Sequence, residues 1–291
     1  MSTRLSTGIE RLDELLGGGL LPGTLTVVVG ATGIGKTQLG LQFARAGLEQ
    51  EGHCGILFDM TARGDSQNHA DYARRMFQWT LRPASLAPPA LEGFFAPATA
   101  PGDCLHVFDR QGQRVTRRDL DFDAWHDWQA ELARRLQATI GFFYGNFARG
   151  VRRAVIDGVE PVGRPSDSIQ LDLFEYIYHQ ILRKDAEWVA RDLFRQAYRE
   201  HAAEAAARRY EFSDVGCMLL YTCAETLLDA QIERPLSEGD VLANANTIIH
   251  LGKIREGTRF RRAMYVAKHR GSVCPDEILP YGIDEGGIRL E

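Results

Sequence analysis

Eight consecutive residues, Gly30-Ala31-Thr32-Gly33-Ile34-Gly35-Lys36-Thr37, have the composition and order needed to hold a chain of phosphates. The glycines let successive backbone N–H groups curl around phosphate oxygens, Lys36 reaches the β- and γ-phosphates, and the Thr37 hydroxyl ligates Mg²⁺. Gln38 follows in the first turn of a helix-like segment whose positive N-terminal end faces the anion. Further along, Ala154-Val155-Ile156-Asp157 is an apolar run closed by an acid. Downstream of a phosphate loop that acid takes the Walker B position, where a strand-end carboxylate holds Mg²⁺ through its water shell. ATP and Mg²⁺ are therefore the expected cofactors, with Thr37 and Asp157 at the metal.

The elements around these residues must present them on one edge of a sheet. Leu25 to Val29 is an apolar strand entering the loop, and Gln38 to Leu48 the helix leaving it. Ahead of them, Ile9, Leu12, Leu15 and Leu16 fall at helical spacing and Gly17-Gly18-Gly19 ends that helix. Gly55 to Asp59, Leu105 to Asp109 and Cys217 to Tyr221 read as further buried strands. His69 to Trp79, Trp125 to Phe143, Leu171 to Leu182, Trp188 to Tyr198 and Glu200 to Arg209 read as helices. On the Trp125–Phe143 segment the apolar stripe is Trp125, Trp128, Leu132, Leu136, Ile140 and Phe143. The end of the chain, Ile248–Gly252, Arg261–Lys268 and Ile278–Leu290, reads as strands joined by tight turns, an antiparallel meander. Five of the eleven prolines fall between Arg82 and Gly102, which marks that stretch as an irregular loop. Phe94 and Phe95 inside it are either a contact site or anchors that tack the loop to the body.

Composition narrows the class. With 291 residues and 44% hydrophobic content, one large α/β domain is expected over 1–291, with insertions near 82–104 and 185–212. A formal net charge of −5 supplies no overall basic field for a polyanion. The best basic cluster, Arg110, Arg114, Arg117 and Arg118, is followed at once by Asp119, Asp121 and Asp123 and reads as a solvated charged hairpin. Five cysteines without C-x-x-C or Cys/His spacing fit reduced thiols and imply no structural metal. No apolar run is long enough to span a bilayer, so a soluble cytoplasmic protein is expected, with no membrane partner.

Thr7-Gly8-Ile9 with Leu12-Asp13, Leu15-Leu16-Gly17-Gly18-Gly19 and Leu21-Pro22-Gly23 precede the loop, and Lys268-His269-Arg270-Gly271-Ser272 precedes a closing hairpin. In that order and spacing the chain resembles the KaiC family within the RecA-like P-loop ATPases. The resemblance implies a RecA-like core, a mostly parallel sheet with helices on both faces and antiparallel strands at its C-terminal edge. It also implies a homo-oligomer, usually a hexameric ring with ATP between subunits. Lys268 and Arg270 would then reach the γ-phosphate held by a neighbour, where positive charge stabilises the charge developing on the transferring group. Glu225, just past the Cys217 strand, falls where the family carries a polar residue that senses the phosphate.

One departure bears on catalysis. Family members that hydrolyse ATP carry one or two glutamates just after the second strand, and here Thr61 and Ala62 stand in their place. A positioned base is worth roughly 10²–10⁴-fold in rate. Asp59, Asp65 and Glu160 are the candidate replacements, Asp59 first, since strand alternation keeps it on the side of Thr61. An aspartate bonded to its own local backbone is the competing reading of Asp59.

Two functions follow as expectations: a slow oligomeric ATPase acting as a regulatory switch, or a module that binds ATP without hydrolysing it and recruits a protein partner through the insertions. The stretches between Asp59, Asp157 and Glu225 are long for a compact core, and such insertions beside a nucleotide site serve partners or regulation. A DNA recombination accessory role ranks lower. The Thr226–Asn246 loop carries Asp229, Glu233, Glu238 and Asp240 against Arg234 alone, so nucleic acid is not an expected partner.

Overall fold

The computed structural model describes residues 3–61, 69–108, 120–160, 168–234 and 241–291. Ala62, Asp65, the charged run from Arg110 to Asp119, Glu238, Asp240 and the side chain of Leu132 lie outside them. The described strands are β1 (Leu25–Gly30), β2 (Ile56–Asp59), β3 (Cys104–His106), β4 (Arg153–Val159), β5 (Gly216–Thr222), β6 (Thr247–Glu256), β7 (Arg259–His269), β8 (Leu279–Asp284) and β9 (Gly287–Leu290). They form one sheet in the order β3-β2-β4-β5-β1-β6-β7-β8-β9. Pairing is parallel from β3 through β6 and antiparallel from β6 through β9. This is an α/β core with a mostly parallel sheet, as the resemblance implies, and the antiparallel C-terminal meander that the spacing predicts.

Both faces of the parallel part are covered, which is why its strands read as continuous apolar runs. Val27, Val29, Phe58, Ile156 and Leu219 join one core cluster, and their strand neighbours Val28, Leu57, Val155, Met218 and Leu220 join the other. The second cluster is closed by α1 (Glu10–Leu15) and α2 (Lys36–Gln50), the first by α4 (Phe122–Phe147) and α6 (Ala186–Phe194). α4 starts where the Asp121 side chain accepts from the Ala124 N–H, and it buries Trp128, Ile140 and Phe143. Between α6 and α7 (Tyr198–Ala207), Arg195 adopts φ 48° and breaks what the pattern reads as nearly continuous helix.

The two segments read as insertions meet on this face. Phe94 and Phe95 are buried, and Phe94 lies 5.4 Å from the Phe194 ring of α6 and 6.0 Å from the Tyr144 ring of α4. Arg149 locks the loop further by donating to the Phe94 carbonyl at 2.6 Å. Phe94 and Phe95 are thus anchors of the proline-rich loop. No helix among the described residues is long and apolar enough to cross a membrane.

Candidate functional site

Parallel pairing puts the C-terminal ends of β1 through β6 on one edge, and the register aligns the chemistry there. Asp59 pairs with Asp157 on one side and with His106 on the other. Gly30, the last residue of β1, pairs with Thr222 and Leu251. In open α/β sheets this edge, where strand order reverses, is where ligands bind.

From Gly30 the chain turns through the loop into α2. Gly35 adopts φ 122°, and a Cβ there would lie 3.0 Å from Ile283 Cδ1, so only glycine fits. Thr32 and Gly33 are exposed, Ala31 and Ile34 buried, and Gln38 half-buried in the first turn of α2. Lys36 is buried, and its ammonium donates to the Gly30 carbonyl at 2.8 Å and the Ala31 carbonyl at 3.0 Å. Burial lowers its proton affinity, opposed by the charges of Asp157, Cys223 and Glu160.

The Thr37 hydroxyl donates to Asp157 Oδ2 at 3.0 Å. Both side chains are buried and both present hard oxygen donors, which is the donor chemistry of Mg²⁺. Thr37 would ligate the ion and Asp157 would hold it through a coordinated water. The residues present therefore fit the ion. Gly158, at φ 98°, lets β4 close against β2 just past Asp157, since a Cβ there would fall 2.3 Å from Thr61 N.

Asp59 is not free. Its Oδ1 accepts from Thr61 N at 2.8 Å, and its Oδ2 lies 2.8 Å from His106 Nδ1 and 3.4 Å from His69 Nδ1. The local-backbone reading of Asp59 is thus realised, with two histidines added. The other nitrogen of His69, Nε2, lies 3.0 Å from Asp157 Oδ2. Burial works against a charged imidazole, but hydrogen bonds to Asp157 and Asp59 outweigh it and push His69 up to about 10. Burial raises Asp59, yet the bonds from His106 and His69 prevail and hold its carboxyl well below the usual range. Thr61 is buried beside this cluster. Neither His69 nor His106 was legible as a site residue. His69 lies in helix α3 (His69–Phe77) and His106 ends β3; strand register brings His106 to Asp59, and the placement of α3 brings His69.

The remaining residues lie apart. Glu225 is exposed, and it is its carbonyl that accepts, from Gln231 Nε2 at 3.0 Å. Lys268 and Arg270 sit at the opposite edge of the sheet. Lys268 pairs with Ile248, which pairs with Val27, and the Arg270 N–H donates to Asn246, itself bonded to Leu25 at the start of β1. Lys268 Nζ donates to the Ala243 carbonyl at 3.1 Å, and Arg270 is exposed. Within one chain they stand at the far end of β1 from its phosphate loop.

The C-terminal meander closes over the loop. Tyr281 donates its hydroxyl to the Ile34 carbonyl at 2.7 Å, and the Gln42 amide of α2 exchanges two hydrogen bonds, 2.8 and 3.0 Å, with the Ile288 backbone. These buried contacts tie β8 and β9 to the nucleotide-binding helix.

Comparison with known proteins agrees with this geometry. The family described as the KaiC ATPase matches residues 5–83. The circadian clock oscillator protein KaiC of Rippkaea orientalis is 36% identical over 80 residues, 28% of this chain and 14% of that protein. The DNA repair and recombination protein RadB of Thermococcus onnurineus is 58% identical over 38 residues, 13% of this chain and 17% of the relative. The DNA repair protein RadA of Mycobacterium tuberculosis is 50% identical over 38 residues, 13% of this chain and 8% of the relative. These matches span less than a fifth of each relative's length. Phosphate loop, sheet order and the Thr37–Asp157 pairing agree with these matches: over residues 5–83 the chain is similar to the KaiC-like RecA-type P-loop ATPases.

Proposed function

We propose that this protein binds ATP with Mg²⁺ and hydrolyses it slowly as an oligomer, turnover serving as a regulatory switch. The observation that carries the reading is the buried Thr37–Asp157 pair, 3.0 Å apart beneath the Gly30–Thr37 loop. Backbone N–H groups from Gly30 to Thr37 cradle the phosphates, and Lys36 leaves the Gly30 and Ala31 carbonyls for the β- and γ-phosphates. Magnesium supplies neutralisation of phosphate charge as it transfers. Asp59 is the base nearest the expected position, and Glu225 is the sensor candidate. Lys268 and Arg270 serve a neighbour's nucleotide, so the active form is a ring, hexameric by family resemblance, of single domains spanning 1–291 in the cytoplasm. The joined 82–104 and 185–212 segments offer a protein partner a preformed surface.

A second reading is favoured by one cluster. Asp59 is already engaged by Thr61 N, His106 and His69, and Thr61 replaces the usual glutamate. On that reading ATP is bound and not turned over, and the nucleotide-loaded form recruits a partner. Handling of DNA, the role for which the RadA and RadB relatives are named, is opposed here by Asp229 and Glu233 beside the sheet edge.

Phosphate release from Mg-ATP across a range of protein concentration, with Lys36→Ala as the blank, separates the readings. Specific activity that rises with concentration supports interfacial catalysis, and release no greater than the blank leaves the binding module. A salt-sensitive shift of single-stranded DNA at low salt with ATP would bring the third reading back.

A further inference from the structure

The bond between His69 and Asp157 is not part of the nucleotide reading above, although the inference drawn from it rests on that reading. Asp157 Oδ2 accepts from the Thr37 hydroxyl at 3.0 Å and faces His69 Nε2 at 3.0 Å. A carboxylate oxygen has two lone pairs, and these two donors take both. All three side chains are buried, with His69 at 4% and Asp157 at 3% exposure, so no bulk water stands ready to exchange with either. A cation coming to Thr37 and Asp157 meets an oxygen whose acceptor capacity is already spent.

We propose that His69 is a displaceable occupant of the cation site: its imidazole holds Asp157 Oδ2 in the nucleotide-free chain, and magnesium arriving with nucleotide takes that oxygen from it. One feature makes the displacement feasible: the second nitrogen of His69 lies 3.4 Å from Asp59 Oδ2, so the ring keeps a buried acceptor when it releases Asp157. Asp59 in turn is held by His106 and Thr61 N, which fixes the place to which the ring withdraws. Filling of the magnesium position and movement of His69 are then one event. The missing glutamate and this histidine belong to the same stretch of chain after β2.

The test measures magnesium affinity and not turnover. A fluorescent ATP analogue is bound to the wild type, His69→Ala and His106→Ala chains in EDTA, and Mg²⁺ is then titrated in. Removing the competing hydrogen bond to a charged acceptor should tighten apparent Mg²⁺ binding about tenfold in His69→Ala. His106→Ala should leave it within about twofold, and analogue affinity in EDTA should be similar in all three. Unchanged or weaker Mg²⁺ binding in His69→Ala would overturn the displacement and make His69 a support for Asp157. If His69→Ala does not fold, ring nitrogen resonances of His69 in the wild type decide. They should move when Mg²⁺ and the analogue are added together and stay with the analogue in EDTA; no movement under either condition overturns the proposal. Failure of the wild type to bind the analogue at all would sink the nucleotide reading itself, a distinct result.

Discussion

Thr37 and Asp157 stand 120 positions apart in the chain and 3.0 Å apart in the fold. One lies in the first turn of α2, after the first strand, and the other near the end of β4, two strands away across the sheet. The contact exists because β1, β5 and β4 run parallel and end on the same edge. Removing the charge while keeping the shape should expose its purpose. Asp157→Asn is expected to bind the ATP analogue in EDTA as the wild type does, and to cut Mg²⁺-supported phosphate release by about 10²-fold. Equal loss of both would make Asp157 a structural residue.

By the family resemblance Thr61 stands where hydrolysing members carry a glutamate, and it is buried beside Asp59. Thr61→Glu should raise single-turnover hydrolysis by about 10²-fold if absence of a base limits the rate. If Asp59 already supplies it, Thr61→Glu changes little and Asp59→Asn abolishes what activity there is. Measuring both variants under single turnover assigns the base.

Arg270 sits at the far end of β1 from its own phosphate loop, so any catalytic role is exercised on another copy. Arg270→Ala should keep ATP affinity near that of the wild type and lower turnover by about 10³-fold. Mixed with Lys36→Ala, it should regain part of the activity, because intact sites form where a Lys36 subunit meets an Arg270 subunit. Absence of recovery in the mixture, with oligomers confirmed by light scattering, would count against action between subunits.

His250 lies buried in β6, with its Nδ1 3.4 Å from Gln231 Oε1. Burial, reinforced by the Arg234 charge, pushes it down to about 4, against about 6.5 in an unfolded chain. The unfolded chain therefore takes the proton first. The stabilising effect of the neutral ring is full above pH 6.5 and disappears as pH falls towards 4, a loss of about 3 kcal/mol. His250→Gln should show a shallower fall in urea midpoint between pH 7 and pH 4.5. Parallel pH curves for the two proteins would assign the acid sensitivity to other groups.

Local rules were sufficient for much of this protein. The Gly30–Thr37 loop, its flanking strand and helix, the strand ending in Asp157 and the terminal meander are each specified by residues adjacent in sequence. Turn chemistry and side-chain period act over a few positions, so they can be read directly. The ends of elements were less legible: the helix read from Trp125 to Phe143 extends over Phe122–Phe147, because the Asp121 cap and the packing of Phe147 lengthen it. Phe94 and Phe95 left two readings open until Phe194 and Tyr144 were seen beside them. The environment of Asp59 was legible least of all. Alternation places its side chain on the side of Thr61, but that His106 flanks it depends on β3 pairing with β2 in one register, and a shift of one residue would turn His106 to the other face. His69 reaches both aspartates only because α3 starts beneath the same sheet edge. Sequence by itself determined that this protein holds a phosphate loop and a Walker B acid on an α/β core; tertiary structure alone decided that two histidines occupy the space around those acids, since register and helix placement are set by burial across the whole sheet and not by any neighbouring residue.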